Sequence, residues 1–286
     1  MPRFTVEPSG AALGADILGF PWADFTAADI ADARRAWLDH LVVRFRDTGI
    51  DDATQVRFSA GLGEFVIHPR QMQQGAHKGM REILVVSNMK NPDGSPAGDL
   101  GDGEVKWHTD TWFKERPPSA SILRALKVPP SGGNTWFASM HAAYEALPAA
   151  LKSAVEGRVM HHQTVIDGRG EVRLGMTRPE SDDVTTWPGV RHPIVRVHGE
   201  TGRKGLYLGG QRNLTWIVGL PWDESRAIIE QLWEHATQPQ FTWCQEWREG
   251  DMVMWDNRCC LHRRDPFDGS AIRLMHRTAI EGERPV

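Results

Sequence analysis

Residues 250–264 read Gly-Asp-Met-Val-Met-Trp-Asp-Asn-Arg-Cys-Cys-Leu-His-Arg-Arg. Positions 252–255 form a short strand-forming run after a Glu249-Gly250-Asp251 turn, and Asp256-Asn257 either fix the following strand, which carries His262, through hydrogen bonds or simply form a bulge or turn. Working outward, similar runs recur at 42–45, 121–126, 135–138, 205–208, 241–247 and 272–279, each bounded by turn residues. Such spacing predicts an antiparallel sandwich or jelly roll. Two helices flank it. Thr26 and Asp29 have the spacing of a capping box, and Ile30, Ala33, Trp37 and Leu41 follow at helical intervals. The second helix starts near Asp223, carries Ile228, Ile229, Leu232 and Ala236 on one side and ends before Pro239. The expected class is mainly β with flanking helices. At 286 residues the chain sits at the upper edge of one such domain, so a single domain over 1–286 is expected.

Upstream of these runs stands Trp107-His108-Thr109-Asp110, which places two ligand-capable side chains at i and i+2. On a strand those point to the same face. A second histidine from elsewhere would complete a face of two histidines and one carboxylate. On octahedral Fe(II) such a face leaves three cis positions open, whereas a closed four-ligand zinc site leaves none. By itself the pair is weak in a chain with 12 histidines, and it needs support from the rest of the sequence.

That support comes from Trp255-Asp256-Asn257 with His262, from Arg273 and Arg277 eleven and fifteen residues beyond it, and from Pro129-Pro130-Ser131-Gly132-Gly133-Asn134-Thr135. With the Trp-His-Thr-Asp motif, these elements resemble the taurine dioxygenase and 2,4-dichlorophenoxyacetate dioxygenase (TauD/TfdA) family of Fe(II)/2-oxoglutarate-dependent oxygenases. The likeness runs from Val42-Val43-Arg44-Phe45 through Leu62-Gly63-Glu64 and His68-Pro69 to His276-Arg277-Thr278. The resemblance implies a double-stranded β-helix, a cupin-like jelly roll. It implies His108, Asp110 and His262 as iron ligands, and Arg273 with Thr135 as the grip on the distal carboxylate of 2-oxoglutarate. A planar guanidinium meets a carboxylate through two charge-assisted hydrogen bonds, which a lysine cannot reproduce. Arg277 would share a strand face with Arg273 and, with His68, meet the acidic group of the primary substrate. Two cations in one pocket call for two anions. The implied reaction couples decarboxylation of 2-oxoglutarate by O₂, giving succinate and CO₂, to hydroxylation of a substrate carbon; next to a heteroatom this cleaves an ether, sulfonate or amine. Retention of Asp110 points to hydroxylation rather than halogenation.

The substrate is less legible. Residues 250–264, with Gly202-Arg203-Lys204, look closer to the aryloxyacetate-cleaving branch, while 79–103 and 167–186, expected at the pocket mouth, match neither type enzyme. The expectation is a small organic acid such as an aryloxyalkanoate, with an alkylsulfonate as the alternative. A metal-dependent hydrolase or a non-catalytic binding protein on the same fold is the reading from another class, and Arg273 and Thr135 speak against it because neither needs them. Residues 91–104, rich in Gly, Pro and Asp, form either a lid or a solvated loop. Trp255 is either close to the metal or simply core. His161-His162 lack matching carboxylates and read as structural or surface residues. Gly132-Gly133 permit an unusual backbone path and not a phosphate loop, since no lysine and helix start follow.

A net charge of -4 argues against a nucleic-acid partner. Three cysteines without CxxC spacing fit a reducing cytoplasm, and the N-terminal stretch and the absence of a long apolar run predict neither export nor a membrane span. Self-association into a homo-oligomer is implied by resemblance alone.

Overall fold

The computed structural model describes residues 1–67, 77, 79–167, 170–173, 175–211 and 214–286. Two sheets dominate it. The larger has eight strands in the order Thr5–Pro8, Ala15–Leu18, Val42–Phe45, Met252–Asp256, Ala120–Lys127, Leu274–Ile280, Leu84–Ser87 and Asp99–Leu100. The smaller has four, ordered Thr242–Gln245, Thr135–Ser139, Cys260–Arg264 and Val105–His108. Side chains from both sheets, among them Val42, Leu123, Val253, Trp255 and Met275 from the larger and Phe137 and Cys260 from the smaller, form one shared core. This is the jelly roll.

Both sheets are also covered outside. Helix α1 (Ala27–His40) and helix α2 (Asp52–Ala60) lie on the larger sheet, where Ile30, Ala33, Trp37 and Phe58 meet Phe45, Ile122, Met254 and Ile280. Helices α3 (Met140–Glu145), α4 (Ala149–Val155) and α5 (Trp222–Ala236) cover the smaller one through a cluster that includes Met140, Val155, Ile229 and Leu232. Coverage on both faces explains why all five positions of Met252–Asp256 are buried. Met252 and Met254 face the helices while Val253 and Trp255 face the other sheet, and each fully buried apolar side chain contributes about 1.5–3 kcal/mol.

The Thr26 capping box is present, with the Thr26 backbone N–H donating to Asp29 Oδ2 at 2.7 Å, and such a cap is worth about 1 kcal/mol. The α5 helix also forms as its periodicity predicts. Most strand boundaries differ by one or two residues from the sequence reading: 121–126 extends to Ala120–Lys127, 205–208 becomes Lys204–Leu206, 272–279 becomes Leu274–Ile280, and 241–247 shortens to Thr242–Gln245, its start set by the 3₁₀ turn Pro239–Phe241. Helix α2 has no apolar periodicity to betray it. Its buried face holds Gln55 and Ser59 beside Phe58, with Gln55 Nε2 donating to the carbonyls of Ile122 and His276 at 3.3 and 3.1 Å.

Candidate active site

His262 and His108 are brought together by strand register. Cys260–Arg264 pairs antiparallel with Val105–His108, and His262 stands directly opposite His108, so both imidazoles leave the same face with ring centroids 4.1 Å apart. Asp110 arrives differently from the sequence expectation. The strand ends at His108, and Asp110 lies in the turn beyond it, so strand alternation does not account for the shared face. The turn is held instead by Thr109, whose N–H donates to the Gly209 carbonyl at 2.9 Å and whose hydroxyl donates to the Asn257 carbonyl at 2.7 Å. Thr111 then adopts φ 44°, a strained conformation for a β-branched residue. The result is Asp110 Oδ1 at 3.9 Å from His108 Nε2 and 3.7 Å from His262 Nε2.

Asp110 is aimed by its other contacts. Its Oδ2 accepts from Ser121 Oγ at 2.6 Å, which in turn accepts from Asn257 Nδ2 at 3.0 Å. Asn257 Oδ1 accepts from the Asp110 N–H at 3.3 Å and from Trp255 Nε1 at 2.9 Å. One carboxamide thus ties the Asp110 turn, the Ser121 strand and the segment leading to His262. On His108, Nδ1 donates to the Lys106 carbonyl at 2.8 Å, which leaves the Nε2 lone pair turned inward. Burial lowers His108, and burial followed by the charge of His108 pushes His262 down to about 3, so both rings are neutral at neutral pH. Burial alone would raise Asp110, but Arg277, His262 and His108 hold it well below the usual carboxylate range. Two neutral imidazole nitrogens and one carboxylate oxygen, all within 4.8 Å of one another, fit a divalent metal. Two other groups have such spacing among the described residues, but Asp256 gives both oxygens to Arg258 beside His198 and Cys259, and Asp52 pairs with Arg124 beside His77 and His276.

Deeper in the roll, Arg273 is 2% exposed, its Nε has no partner among the described residues, and its guanidinium lies 6.0 Å from the Trp247 ring centroid. Trp247 Nε1 donates to Thr135 Oγ1 at 3.0 Å, leaving the Thr135 proton available to a ligand. Gly132 and Gly133 have φ of 73° and 66°, the unusual path expected of them, and a Cβ at Gly133 would stand 3.4 Å from Arg273 Cδ. Arg264, absent from the expected set, is buried here too and donates to the Gly103 carbonyl. Burial, then the charge of Arg264, pushes Arg273 down to about 9. A buried guanidinium with an open donor has the chemistry to meet an anion.

Arg277 does share the inward face with Arg273. In Leu274–Ile280, His276 and Thr278 reach α2, through Asp52 at 2.6 Å and Ser59 at 2.7 Å, while Met275 faces the inter-sheet core and Arg277 Nη1 donates to Asp110 Oδ1 at 3.1 Å. A cavity lined by Asp110, Thr111, Lys114, Glu82, Leu84 and Arg277 opens beside it. His68 lies outside the described residues. Trp255 satisfies both of its readings, being 2% exposed with its ring 4.9 Å from that of His262. His161 and His162 are buried, not superficial. The 91–104 stretch is tied to both sheets, through Asp99–Leu100 beside Leu84–Ser87 and through Gly103 to Arg264. Asn257 follows the first of its two readings, tying the segment that carries His262 by hydrogen bonds, whereas Ser121 and Arg264 were functional candidates missed. Arg264 alone had a legible signal, two residues beyond His262 on one strand.

A family model described as "Taurine catabolism dioxygenase TauD, TfdA family" matches residues 5–279. The chain is 32% identical to an "(S)-phenoxypropionate/alpha-ketoglutarate-dioxygenase" of Sphingobium herbicidovorans, over 99% of this chain and 96% of that one. It is 31% identical to an "Alpha-ketoglutarate-dependent 2,4-dichlorophenoxyacetate dioxygenase" of Burkholderia sp., over 90% and 87%. Among solved structures, a taurine dioxygenase from Burkholderia xenovorans superposes with a TM-score of 0.79 at 33% identity, covering 100% of this chain and 93% of that one.

Proposed function

We propose, for a chain that belongs to the TauD/TfdA family and is an Fe(II)- and 2-oxoglutarate-dependent dioxygenase, that His108, Asp110 and His262 hold the iron and that the primary substrate is a small organic acid, an aryloxyalkanoate in the first instance. The observation that carries the reading is the convergence of their three ligand atoms within 4.8 Å. When bound, the iron supplies the oxidative chemistry by which O₂ and 2-oxoglutarate hydroxylate a carbon. The chain supplies position. Arg273 and Thr135 grip the distal carboxylate of 2-oxoglutarate and orient its other end toward the ligands. Buried apolar walls keep water out, and Asn257 with Ser121 keeps Asp110 Oδ1 turned inward. Arg277, beside Asp110, together with His68, meets the acid of the primary substrate and sets which C–H bond is presented.

Support for an aryloxy acid comes from two relatives named for such substrates; the taurine dioxygenase likeness supports an alkylsulfonate as the second reading. Fe(II)-loaded protein with 2-oxoglutarate is to be tested for O₂-dependent succinate release across aryloxyalkanoates, other small carboxylates and alkylsulfonates. Stimulation by the first class supports the proposal. Stimulation by alkylsulfonates alone replaces it. A hydrolase or binding protein would release no succinate. A cytoplasmic location and self-association belong to the same proposal, and cell fractionation and sedimentation velocity test them.

A further inference from the structure

A third arginine lies near the site with two guanidinium donors that have no hydrogen-bond partner among the described residues. Arg173 stands on the return limb of a small hairpin in which Ile166 bridges Val172 and the Arg173 N–H donates to the Val165 carbonyl at 2.8 Å. The base of that hairpin is clamped by Gln163, whose Oε1 accepts from the N–H groups of Val165 and Ile166 at 2.7 Å each. From this backbone the guanidinium lies over Phe113, 3.6 Å from the ring centroid, and 5.7 Å from that of Trp112. Trp112 is 6.1 Å, ring to ring, from His108. Arg173 is therefore two ring contacts from a metal ligand.

A cation stacked on an aromatic ring at a surface keeps its in-plane donors in water. Here Nε and Nη2 are buried and have no hydrogen-bond partner among the described residues. Leaving such donors unsatisfied is costly, so a group of this kind is poised for an acceptor that arrives with a ligand. Burial pushes Arg173 down to about 10 against the opposing charge of Asp167. Following Asp110 in sequence, Thr111 Oγ1 and Trp112 Nε1 are also buried without a partner among the described residues. The other two arginines have their anions assigned, 2-oxoglutarate to Arg273 and the substrate acid to Arg277.

We propose that Arg173 binds a second acidic group of the primary substrate, which is then a diacid whose apolar body lies along Trp112 and Phe113. The proposal rests on the dioxygenase reading above and narrows its substrate class. The test is calorimetric titration of the anaerobic Fe(II)·2-oxoglutarate protein with phenoxyacetate and with 4-carboxyphenoxyacetate, which differ by one carboxylate. For the unaltered chain the diacid is expected to bind at least about tenfold more tightly. Arg173→Gln should cut that ratio to below about threefold, with Arg173→Lys intermediate because it keeps the charge without the fork. A ratio near one in the unaltered chain, a ratio that survives Arg173→Gln, or no diacid binding by protein that binds 2-oxoglutarate overturns the proposal. Failure to bind 2-oxoglutarate at all overturns the dioxygenase reading itself, and this proposal with it.

Discussion

Asn257→Ala should damage fold and metal site together. The carboxamide accepts from the Asp110 N–H at 3.3 Å and Trp255 Nε1 at 2.9 Å, and donates to Ser121 Oγ at 3.0 Å. Truncation leaves the indole N–H of Trp255, a residue 2% exposed, without its acceptor, and a stranded buried donor costs about 1–3 kcal/mol. The bond to Ser121 adds about 1 kcal/mol, since Ser121 keeps its own bond to Asp110 Oδ2. The Thr109 hydroxyl bonds to the main-chain carbonyl of Asn257 and survives. The sum, about 2–4 kcal/mol, lowers the melting temperature by roughly 3–7 °C for a chain of this size. Because Ser121 and the Asp110 N–H both lose their orientation to Asn257, metal affinity should fall about 10–100-fold. Thermal unfolding of the metal-free protein measures the first effect, and titration with Mn(II), which is not oxidised during the assay, measures the second. Asn257→Asp keeps the acceptor but not the donor and should fall between. A variant that melts within 1 °C of the parent (roughly the assay error) and binds Mn(II) equally well would refute the assignment of Asn257 as the tie between the ligand segments.

Arg273→Ala should raise the KM for 2-oxoglutarate by about 30-fold or more, the effect of removing one partner of a buried charge pair, and steady-state kinetics at saturating substrate will show it; an unchanged KM removes Arg273 from its role. Gly133→Ala, at φ 66° with its new Cβ 3.1 Å from Pro129 and 3.4 Å from Arg273, should cost about 1–2 kcal/mol in chemical unfolding and raise the same KM. Burial opposes ionisation of Asp256, but Arg258 and His198 more than offset it and hold its pKa below the unfolded value. Its contribution is therefore complete above about pH 4 and is lost as pH falls through the depressed folded value, so Asp256→Asn should flatten the acid limb of a stability–pH profile measured by denaturant unfolding. Removing bound metal with a chelator should lower the melting temperature, by the equivalent of about 2.7 kcal/mol if the metal had stood at a hundred times its Kd. A melting curve indifferent to metal would count against ligation by the folded state.

Local chemistry and short-range pattern were readable from the chain alone. The Thr26 box, the α5 periodicity, the turn at Gly250 and the paired glycines before Thr135 each depend on residues close in sequence. The Trp-Asp-Asn…His and His-x-Asp motifs carried the family, because side chains that share one metal and one cosubstrate keep their types and intervals. Period 2 also placed Arg273 and Arg277 on one face correctly. What only the tertiary structure decided was how segments far apart in the chain complete one another. Asp110 was expected to follow strand alternation from His108, yet its position is set by bonds to Asn257, 147 and 148 residues away, and by Ser121. No local pattern encodes such a contact. Helix α2 stayed hidden because its buried face is largely polar, and Gln55 there is satisfied by carbonyls of strands that arrive 67 and 221 residues later and by the Arg124 guanidinium. Strands buried on both faces, such as Met252–Asp256, lose the apolar–polar alternation that would tell inside from outside. Arg173 belongs to the same category: in sequence it is one arginine in a polar loop, and its meaning comes from Phe113 and Trp112, which fold beneath it.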